Sequence, residues 1–291
     1  MDVSADVFQT VRPRLFGIAY RMLGSVQDAE DVLQDAWLRW DTTDRDAVAE
    51  PGAYLATVVT RLSIASLTSA RSQRESYVGP WLPEPVDTSA DPLLGAERAE
   101  ALSLAVLLLL ERLPAAERAA FVLHAAFDYP HARVAEVLET SEANARQLYS
   151  RARRHLDGAR GRQVDPAERA RLLAAFLAAA EAGDLETLET VLARDVVSIS
   201  DGGGKVLAAR KIVDGAERVA HFLLGVLEKF GRGVTAVPVV VNGEPAVLGV
   251  REDGSAMALW TVDAGPEGIR GVYIVLNPQK LSRFGGEPAL S

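Results

Sequence analysis

The most regular pattern of apolar and polar positions lies between Leu113 and Leu156. In the second half of this stretch, apolar residues recur at intervals of three and four, which predicts a helix with one buried stripe. The stripe consists of Ala145, Leu148, Ala152 and Leu156. A shorter apolar face precedes it, formed by Ala132, Val134, Ala135 and Leu138. Thr140 and Ser141 separate the two patterns, and serine favours the N-cap of a helix. The stretch therefore predicts a helix-turn-helix.

The polar side of the second helix carries the residue types that contact nucleic acid. Amide and guanidinium groups near the start of a recognition helix reach bases, and further arginines bind phosphates. The candidates are Asn144, Arg146, Gln147, Arg151, Arg153 and Arg154. The alternative is a basic amphipathic helix in an ordinary bundle. Glu139 stands where such turns often have glycine, and a positive φ there would cost glutamate about 1 kcal/mol relative to glycine.

Residues 1–75 have helical periodicity throughout. A first stripe ends at Gly24-Ser25, after which acidic residues occupy the first turn of a second helix, where the helix dipole favours them. The second helix has an apolar face of Val32, Leu33, Ala36, Trp37 and Trp40. Its outer face is acidic and consists of Asp28, Asp31, Gln34 and Asp35. Pro51 begins a third helix, which contains Tyr54, Arg61, Arg71 and Arg74.

The pattern changes in the roughly 130 residues after Leu156, where a further domain is predicted at residues 166–284. Helices are predicted at Ala167–Ala182, Leu185–Leu192 and Ala216–Phe230, with a strand at Asp195–Ser200. The period then becomes two. Asn242-Gly243 and Asp253-Gly254 are typical of two-residue hairpin turns, and they separate Val234–Val241, Ala246–Arg251 and Ser255–Val262, with Ile269–Leu276 following. The prediction is an antiparallel meander with helices on one face, an α+β domain.

Composition narrows the class of protein. The chain of 291 residues is long enough for two or three domains. It has no cysteine, which excludes disulfides and thiolate sites and fits a reducing cytosol. The longest apolar run, Leu102–Leu110, is too short for a membrane span, and the polar N-terminus does not predict a signal peptide. A net charge of −9 argues against general nucleic-acid coating but permits a local basic face.

Two motifs carry a family resemblance. The segment DAEDVLQDAWLRW, residues 28–40, resembles region 2 of bacterial extracytoplasmic-function (ECF) sigma factors, and Leu113–Leu156 resembles their region 4. Both occur in the family's order, about eighty residues apart. The resemblance implies all-α sigma domains, region 2 at 1–75 and a helix-turn-helix region 4 at 101–160. A proline-rich linker at 76–100 joins them, and the α+β domain at 166–284 resembles a SnoaL-like, NTF2-like cone.

The resemblance also implies roles for residues. The acidic face of Asp28, Asp31, Gln34 and Asp35 would bind the β′ clamp helices of core RNA polymerase. The third helix would melt and read the −10 promoter element through Tyr54, Arg61, Arg71 and Arg74. Ala65 and Thr68 depart from residues common in the family at those positions. The face of Asn144, Arg146, Gln147, Arg151, Arg153 and Arg154 would read the −35 element, while region 4 would contact the β flap.

The linker and the extension resemble those of the sigma-J type group within this family. Trp81, Leu82 and Pro83 form an apolar segment among prolines, and such a segment needs a partner. The loop-like candidates on the extension are Asp201, Gly202, Gly203, Gly204 and Lys205, and Asn277, Pro278, Lys280 and Leu281. Gln279 departs from the acidic residue expected there. These segments predict that the extension docks on the linker and on region 2, and that this contact regulates the protein in place of a separate anti-sigma factor.

Two other classes of protein remain open from the sequence. One is a different helix-turn-helix regulator fused to a ligand-binding cone, although the acidic helix favours the sigma interpretation. The other is a SnoaL-like enzyme, but the extension has one histidine, His221, which is interpreted as a buried core residue without a catalytic partner. We expect no enzyme activity, no cofactor and no metal site. The expected partners are core polymerase and promoter DNA, with no membrane, and a small ligand in the cone is possible.

Overall fold

The computed structural model describes residues 3–89, 102–160 and 164–284. The chain forms two compact units. The N-terminal unit combines residues 1–75 with 90–159, and the C-terminal unit combines residues 76–89 with 160–291. The first half of the predicted linker is therefore part of the C-terminal unit, while residues 90–101 lie outside the described residues.

The first half of the N-terminal unit is helical as predicted. Its helices are α1 (Val3–Leu23), α2 (Val26–Asp41) and α3 (Pro51–Glu75), with a short 3₁₀ turn at Arg45–Ala47. Gly24 ends α1 with a φ of 66°. The Ser25 hydroxyl caps α2 by accepting the Asp28 N–H at 3.2 Å, which is the usual role of an N-cap serine. Trp37 was predicted as core but is only half-buried, with its ring edge-on to Phe8.

The second half of the N-terminal unit contains the predicted helix-turn-helix. Four helices are described: α4 (Leu104–Leu110), α5 (Ala115–Phe121), α6 (His131–Val137) and α7 (Glu142–Arg160). A π-helical turn, Val122–Ala126, follows α5. Ser141 caps α7 by accepting the Asn144 N–H at 3.2 Å, and Glu139 in the turn has a φ of 52°. The stripe of Ala145, Leu148, Ala152 and Leu156 is buried, as predicted.

The C-terminal unit is a mixed α+β domain. Its helices are α8 (Pro166–Ala182), α9 (Leu185–Val191), α10 (Ala216–Phe230) and the short α11 (Pro278–Leu281). Its strands are β1 (Leu192–Asp201), β2 (Val213–Asp214), β3 (Val234–Val241), β4 (Glu244–Arg251), β5 (Ala256–Gly265) and β6 (Gly268–Val275). They form one sheet in the order β2-β1-β6-β5-β4-β3. The core lies between one sheet face and α8, α9 and α10.

Two details of this domain correct the sequence prediction. The meander of β3 to β6 is antiparallel as predicted, but β1 joins β6 in parallel, so the sheet is mixed. A parallel pair needs a long crossover, and turn signals reveal only strands adjacent in the chain. The second correction concerns His221, which is exposed and not a core residue. The buried side of α10 is instead formed by Val219, Ala220 and Leu223.

Candidate functional site

The predicted acidic face of α2 lies on the surface. Asp31, Gln34 and Asp35 are exposed, while Asp28 is half-buried. Among the described residues, neither Asp31 nor Asp35 has an ion-pair partner, so both carboxylates are available to another molecule. The sequence analysis missed Leu38, which is 57% exposed and follows Gln34 by four positions. Helical spacing places it on the same face, which therefore combines two carboxylates with an apolar side chain.

Arg61 of α3 is held by the helix-turn-helix. Its guanidinium donates to the carbonyl oxygens of Val137, at 3.0 Å, and Glu136, at 3.2 Å. It also pairs with the Glu139 carboxylate at 2.8 Å. Carbonyl oxygens at the end of a helix favour a cation. A predicted −10 contact residue thus binds the turn of the predicted −35 domain.

A second arginine, which belongs to α6, also links α6 to α3. Arg133 of α6 donates to the Ala53 carbonyl oxygen at 2.9 Å and to the Thr57 hydroxyl at 3.3 Å. Sequence reasoning missed Arg133, because nothing in the periodicity of α6 shows that α3 lies beside it. The α3–α6 contact therefore has an arginine from each helix bound to the backbone of the other.

Arg74, another predicted DNA-binding residue, belongs to a buried charge cluster. It pairs with Glu111 and donates to the Leu23 carbonyl oxygen. Arg118 binds the same Glu111 at 2.9 Å and donates to the Met22 carbonyl oxygen at 2.6 Å. Burial, together with Arg118, lowers the pKa of Arg74 to about 10, and burial does the same for Arg118. Both guanidinium groups stay charged near neutral pH. Arg71 lies in α3, but its side chain is outside the described residues.

The remaining −10 candidate, Tyr54, is half-buried near the start of α3. Its ring centroid lies 6.0 Å from that of Trp40, and its hydroxyl is 3.3 Å from the Thr43 hydroxyl. The structure therefore places Tyr54 and Arg61 on α3 but gives each a partner within the N-terminal unit.

The polar face of α7 is largely exposed. Gln147, Arg153 and Arg154 are exposed, and Arg146 is exposed while pairing with Glu142 one turn earlier. Two other candidates, Asn144 and Arg151, are hydrogen-bonded to side chains of the same unit. The Asn144 amide donates to the Thr140 hydroxyl at 2.9 Å, and Arg151 donates to the largely buried Glu117 carboxylate at 2.8 Å. The face thus offers three exposed arginines and one glutamine to a ligand.

The linker binds the C-terminal domain through Asp201, which is fully buried. One carboxylate oxygen accepts the Tyr77 hydroxyl at 2.6 Å, and the other accepts the Leu82 N–H at 2.9 Å. Lys280 lies 2.7 Å from the second oxygen. A buried charge is tolerated where it is paired and hydrogen-bonded, and Asp201 meets both conditions. The linker and both predicted loop motifs therefore converge on one carboxylate.

The apolar linker segment finds its partner in the same place. The Lys280 ammonium lies 4.4 Å from the centre of a Trp81 ring, a cation–π distance. Lys280 also donates to the Leu82 carbonyl oxygen. Leu82 and Pro83 are buried, as are Asn277 and Leu281. The Asn277 amide donates to the Tyr77 hydroxyl at 2.8 Å. Lys205, in contrast, is exposed at the end of its loop.

Two glycines of the 201–205 loop are required by this contact. Gly203 and Gly204 have φ values of 60° and 70°, which suit glycine. A Cβ on Gly203 would lie 2.4 Å from the Asn277 amide nitrogen, and a Cβ on Gly204 would lie 2.9 Å from the Val78 Cβ. A side chain at either position would therefore displace the linker or Asn277.

The linker also continues along the sheet edge, a contact that the sequence analysis missed. Thr88 donates its N–H to the Val240 carbonyl oxygen at 3.1 Å, and the Asn242 N–H donates to the Val86 carbonyl oxygen at 2.9 Å. The Asn242 side-chain oxygen accepts the Val86 N–H at 3.0 Å. The Asn242-Gly243 signal predicted only a hairpin, yet this turn also holds the linker.

Comparisons with known proteins agree with these elements. The Sigma-70 region 2 family model matches residues 7–73, and the Sigma-70 region 4 model matches residues 103–156. The ECF RNA polymerase sigma factor SigJ of Mycobacterium tuberculosis is 41% identical over 93% of this chain and 94% of its own length. The probable ECF sigma factor SigI of the same species is 32% identical over 98% of this chain and 97% of its own length.

A solved structure extends the likeness to three dimensions. The crystal structure of the M. tuberculosis sigma factor SigJ matches with a TM-score of 0.77 and 37% identity, covering 96% of this chain and 98% of that one. Two helical domains of the sigma-70 class, followed by an α+β domain, define the class of protein. The chain belongs to the ECF sigma factors of RNA polymerase, which confirms the family predicted from the acidic motif and the helix-turn-helix.

Neither a membrane-crossing helix nor a cluster of metal ligands is found among the described residues. No described helix combines the length and the apolar character needed to cross a membrane. Within the same residues, no group of three or more histidine, aspartate or glutamate side chains is placed to hold a metal ion.

Proposed function

We propose that this sigma factor binds core RNA polymerase in the cytoplasm and directs it to one class of promoters, without chemistry of its own. In this proposal the α2 face of Asp28, Asp31, Gln34 and Asp35 binds the β′ clamp helices, and region 4 binds the β flap. The observation that carries the proposal is the exposed part of this face, because the Asp31 and Asp35 carboxylates have no described ion-pair partner and do not contribute to the core of the unit.

We assign the promoter contacts to α3 and α7. Tyr54, Arg61, Arg71 and Arg74 are proposed to act at the −10 element, and Asn144, Arg146, Gln147, Arg151, Arg153 and Arg154 at the −35 element. Arg61 and Arg74 are engaged within the N-terminal unit. Contact with DNA through either side chain requires it to leave these partners, so the described arrangement is proposed to be a resting form of the N-terminal unit.

The C-terminal domain is proposed to modulate this activity in place of a separate anti-sigma factor. Its residues in the contact are Asp201, Gly202, Gly203, Gly204, Lys205, Asn277, Pro278, Lys280 and Leu281, and those of the linker are Trp81, Leu82 and Pro83. The density of bonds around Asp201 supports the proposal. Because the linker joins region 2 to region 4, fixing one part of it changes how freely the two can move while they bind a promoter.

We do not assign catalysis to this domain. His221 is exposed and its Nδ1 is 2.9 Å from the Glu217 carbonyl oxygen, one turn back in α10. The described lining of the cavity beside His221 contains no acidic side chain that would orient the imidazole for acid–base chemistry. The domain is therefore proposed to act by binding.

The central experiment measures core binding by an Asp31→Arg, Asp35→Arg double variant. We expect it to lose affinity for purified core polymerase and to lose in vitro transcription from genomic fragments, because two attractive charges become repulsive. Circular dichroism should show unchanged helicity, since both side chains are exposed. A Glu181→Arg, Glu186→Arg double variant, on exposed sites of the C-terminal domain, makes the same change in net charge. Equal core affinity of the two double variants would refute the assignment.

A further inference from the structure

One cavity of the C-terminal domain differs from its surroundings in charge and in polar content. It has a volume of about 640 Å³ and lies between α10, the 206–209 loop and the sheet. This volume is within the range of sites that hold small organic molecules. The walls are mainly apolar and include Phe222, Val226, Met257, Trp260, Ile274 and Leu276. Leu207, on the loop at the cavity, is 73% exposed.

The charged residues of this cavity are all basic. Its lining contains Lys229, Arg251 and His221, and no aspartate or glutamate among the described residues. The whole chain, in contrast, carries a net charge of −9. A second cavity on the other side of α10 is lined by Glu181 and Glu228 with one arginine, Arg232. The first cavity therefore has a charge that favours an organic anion, and the second does not.

A buried hydroxyl on the cavity floor also lacks a partner. Ser200 is 1% exposed and lines the cavity, yet its hydroxyl has no hydrogen-bond partner among the described residues. An unsatisfied buried hydroxyl is unfavourable, and because Ser200 lines the cavity, a ligand atom there can satisfy it. In the sheet, Ser200 lies beside Ile274, which lies beside Trp260. The hydroxyl therefore stands at one end of an apolar row.

We propose that this cavity binds an amphipathic organic acid. The apolar body of the acid packs on the row formed by Ile274 and Trp260. Its anionic oxygen accepts a hydrogen bond from the Ser200 hydroxyl, and Lys229 and Arg251 neutralise its charge. Charge-assisted hydrogen bonds of this kind are stronger than neutral ones, so the anion and not the apolar body alone determines the choice of ligand.

The binding test uses three ten-carbon probes and isothermal titration calorimetry on the full chain. We expect decanoate to bind saturably, and about tenfold or more tightly than neutral decanol. Decyltrimethylammonium, with a cationic head, should show no saturable binding. A Lys229→Gln, Arg251→Gln double variant should bind decanoate and decanol equally. Absent binding of decanoate, or equal affinity of the wild type for decanoate and decanol, overturns the proposal.

Two matched pairs of variants locate the site. Gly225 lines the cavity, and a Cβ built on it meets nothing within 4 Å. Gly225→Phe should fill the cavity and abolish decanoate binding, while Gly225→Ala makes a similar change in helix propensity and should bind normally. Ser200→Ala should weaken decanoate binding. Ser198→Ala removes another buried hydroxyl of β1 that has no described partner and does not line this cavity. It should therefore leave decanoate binding unchanged. If Gly225→Phe binds decanoate as well as Gly225→Ala does, or if Ser200→Ala binds it as well as Ser198→Ala does, decanoate binds elsewhere and the assignment is overturned.

A consequence for regulation rests on the proposed function. Ser200 lines the cavity while the next residue, Asp201, binds the linker, and Pro278 lines the cavity between Asn277 and Lys280 of the linker contact. Decanoate is therefore expected to change transcription by the wild type with core polymerase but not by Gly225→Phe. If decanoate binds without changing transcription, the coupling between the cavity and the linker contact is refuted, while the binding site stands. Absence of transcription both with and without decanoate would contradict the proposed function, while calorimetry still reports the site.

Discussion

The protonation of Tyr77, a side chain of the linker, depends on the buried Asp201 carboxylate beside it. Its hydroxyl donates to Asp201 and accepts from the Asn277 amide. Burial and the hydrogen bond to Asp201 raise the pKa of Tyr77 well above its usual value near 10. A phenolate at this position would place a second negative charge against Asp201. The linker contact is therefore built for a neutral tyrosine.

This pKa shift predicts a loss of stability in alkaline solution. Below about pH 10 the hydroxyl keeps its proton in both states; above it, the unfolded chain releases the proton first, so unfolding is favoured. The unfolding free energy of the wild type should therefore fall more steeply than that of Tyr77→Phe as pH rises above about 10. Urea denaturation at a series of pH values measures both slopes. Parallel curves would contradict the role of Tyr77, because the other titrating groups are common to both proteins.

Glu139 illustrates backbone strain at a single position. Its φ of 52° lies in the left-handed region, and it also pairs with Arg61 at an exposed site. The strain is about 1 kcal/mol, whereas exposed ion pairs contribute about 0–1 kcal/mol. We expect Glu139→Gly to be neutral or to raise the unfolding free energy by up to about 1 kcal/mol.

A matched glycine substitution nearby controls for chain flexibility. Glu136 lies within α6, on its exposed side, where glycine is unfavourable by roughly 0.5–1 kcal/mol. Glu136→Gly should therefore lower the unfolding free energy, which chemical denaturation measures. Equal destabilisation by the two substitutions would show that the turn tolerates glutamate without strain.

At the scale of elements, α7 is proposed to carry some side chains that bind bases and others that bind phosphates. We expect Arg146→Ala to reduce discrimination between a matched and a scrambled −35 duplex by about 1–3 kcal/mol, as for a bidentate base contact. Arg153→Ala and Arg154→Ala should instead weaken binding to both duplexes and each lower the salt slope by about 1. Fluorescence anisotropy at several salt concentrations measures all three. An equal effect of Arg146→Ala on both duplexes would make it a phosphate contact.

The same scale shows which elements the sequence could predict. Helix periodicity, the Ser141 cap and the hairpin signals are local, so α7 and the β3–β6 meander followed from residues close in the chain. The parallel pairing of β1 with β6 and the burial of Arg74 against Glu111 were not predictable in this way. Both join residues that are far apart in sequence, and an arginine in a helix has the same local pattern whether it contacts DNA or a buried glutamate.

The candidate site also contains some features that local sequence predicts and others that it does not. The acidic face of α2 was predicted because exposure and charge follow the helical period, and the structure adds only Leu38. The linker contact was predicted through a family resemblance, without its geometry. Periodicity gives no reason for Asp201 to bind Tyr77, and it gives no sign that Asn242 holds Val86. Such contacts depend on tertiary packing, which brings together loops without any repeating pattern.

At the scale of the whole molecule, the linker is the segment through which the C-terminal domain is proposed to affect promoter binding. Residues 76–89 are bound to that domain, so they do not behave as a free tether between region 2 and region 4. Tethered contacts act at high effective concentration, and a coupling of about 1–3 kcal/mol between linker docking and promoter binding changes output several-fold or more. Releasing the linker should therefore change transcription without any change in the residues proposed to bind DNA.

A double-mutant cycle tests this coupling. Trp81→Ala and Lys280→Met each remove one side of the same cation–π contact, and truncation before Asn277 removes the whole second motif. Each change should shift transcription from a cognate promoter with reconstituted holoenzyme. Combining Trp81→Ala with either other change should be non-additive, because contacting residues share one interaction energy. The direction of the shift shows whether the docked linker restrains or promotes initiation.

The control for the cycle is Lys211→Met, which removes an exposed lysine of the same domain that belongs neither to the described linker contact nor to the described cavity lining. Its effect and that of Trp81→Ala should add within about 0.5 kcal/mol, as for distant sites. Circular dichroism and denaturation of each variant separate loss of the contact from loss of the fold. Additive effects of Trp81→Ala and Lys280→Met on transcription would mean that the linker contact does not act as one unit. The C-terminal domain would then influence initiation through another surface or through its ligand alone.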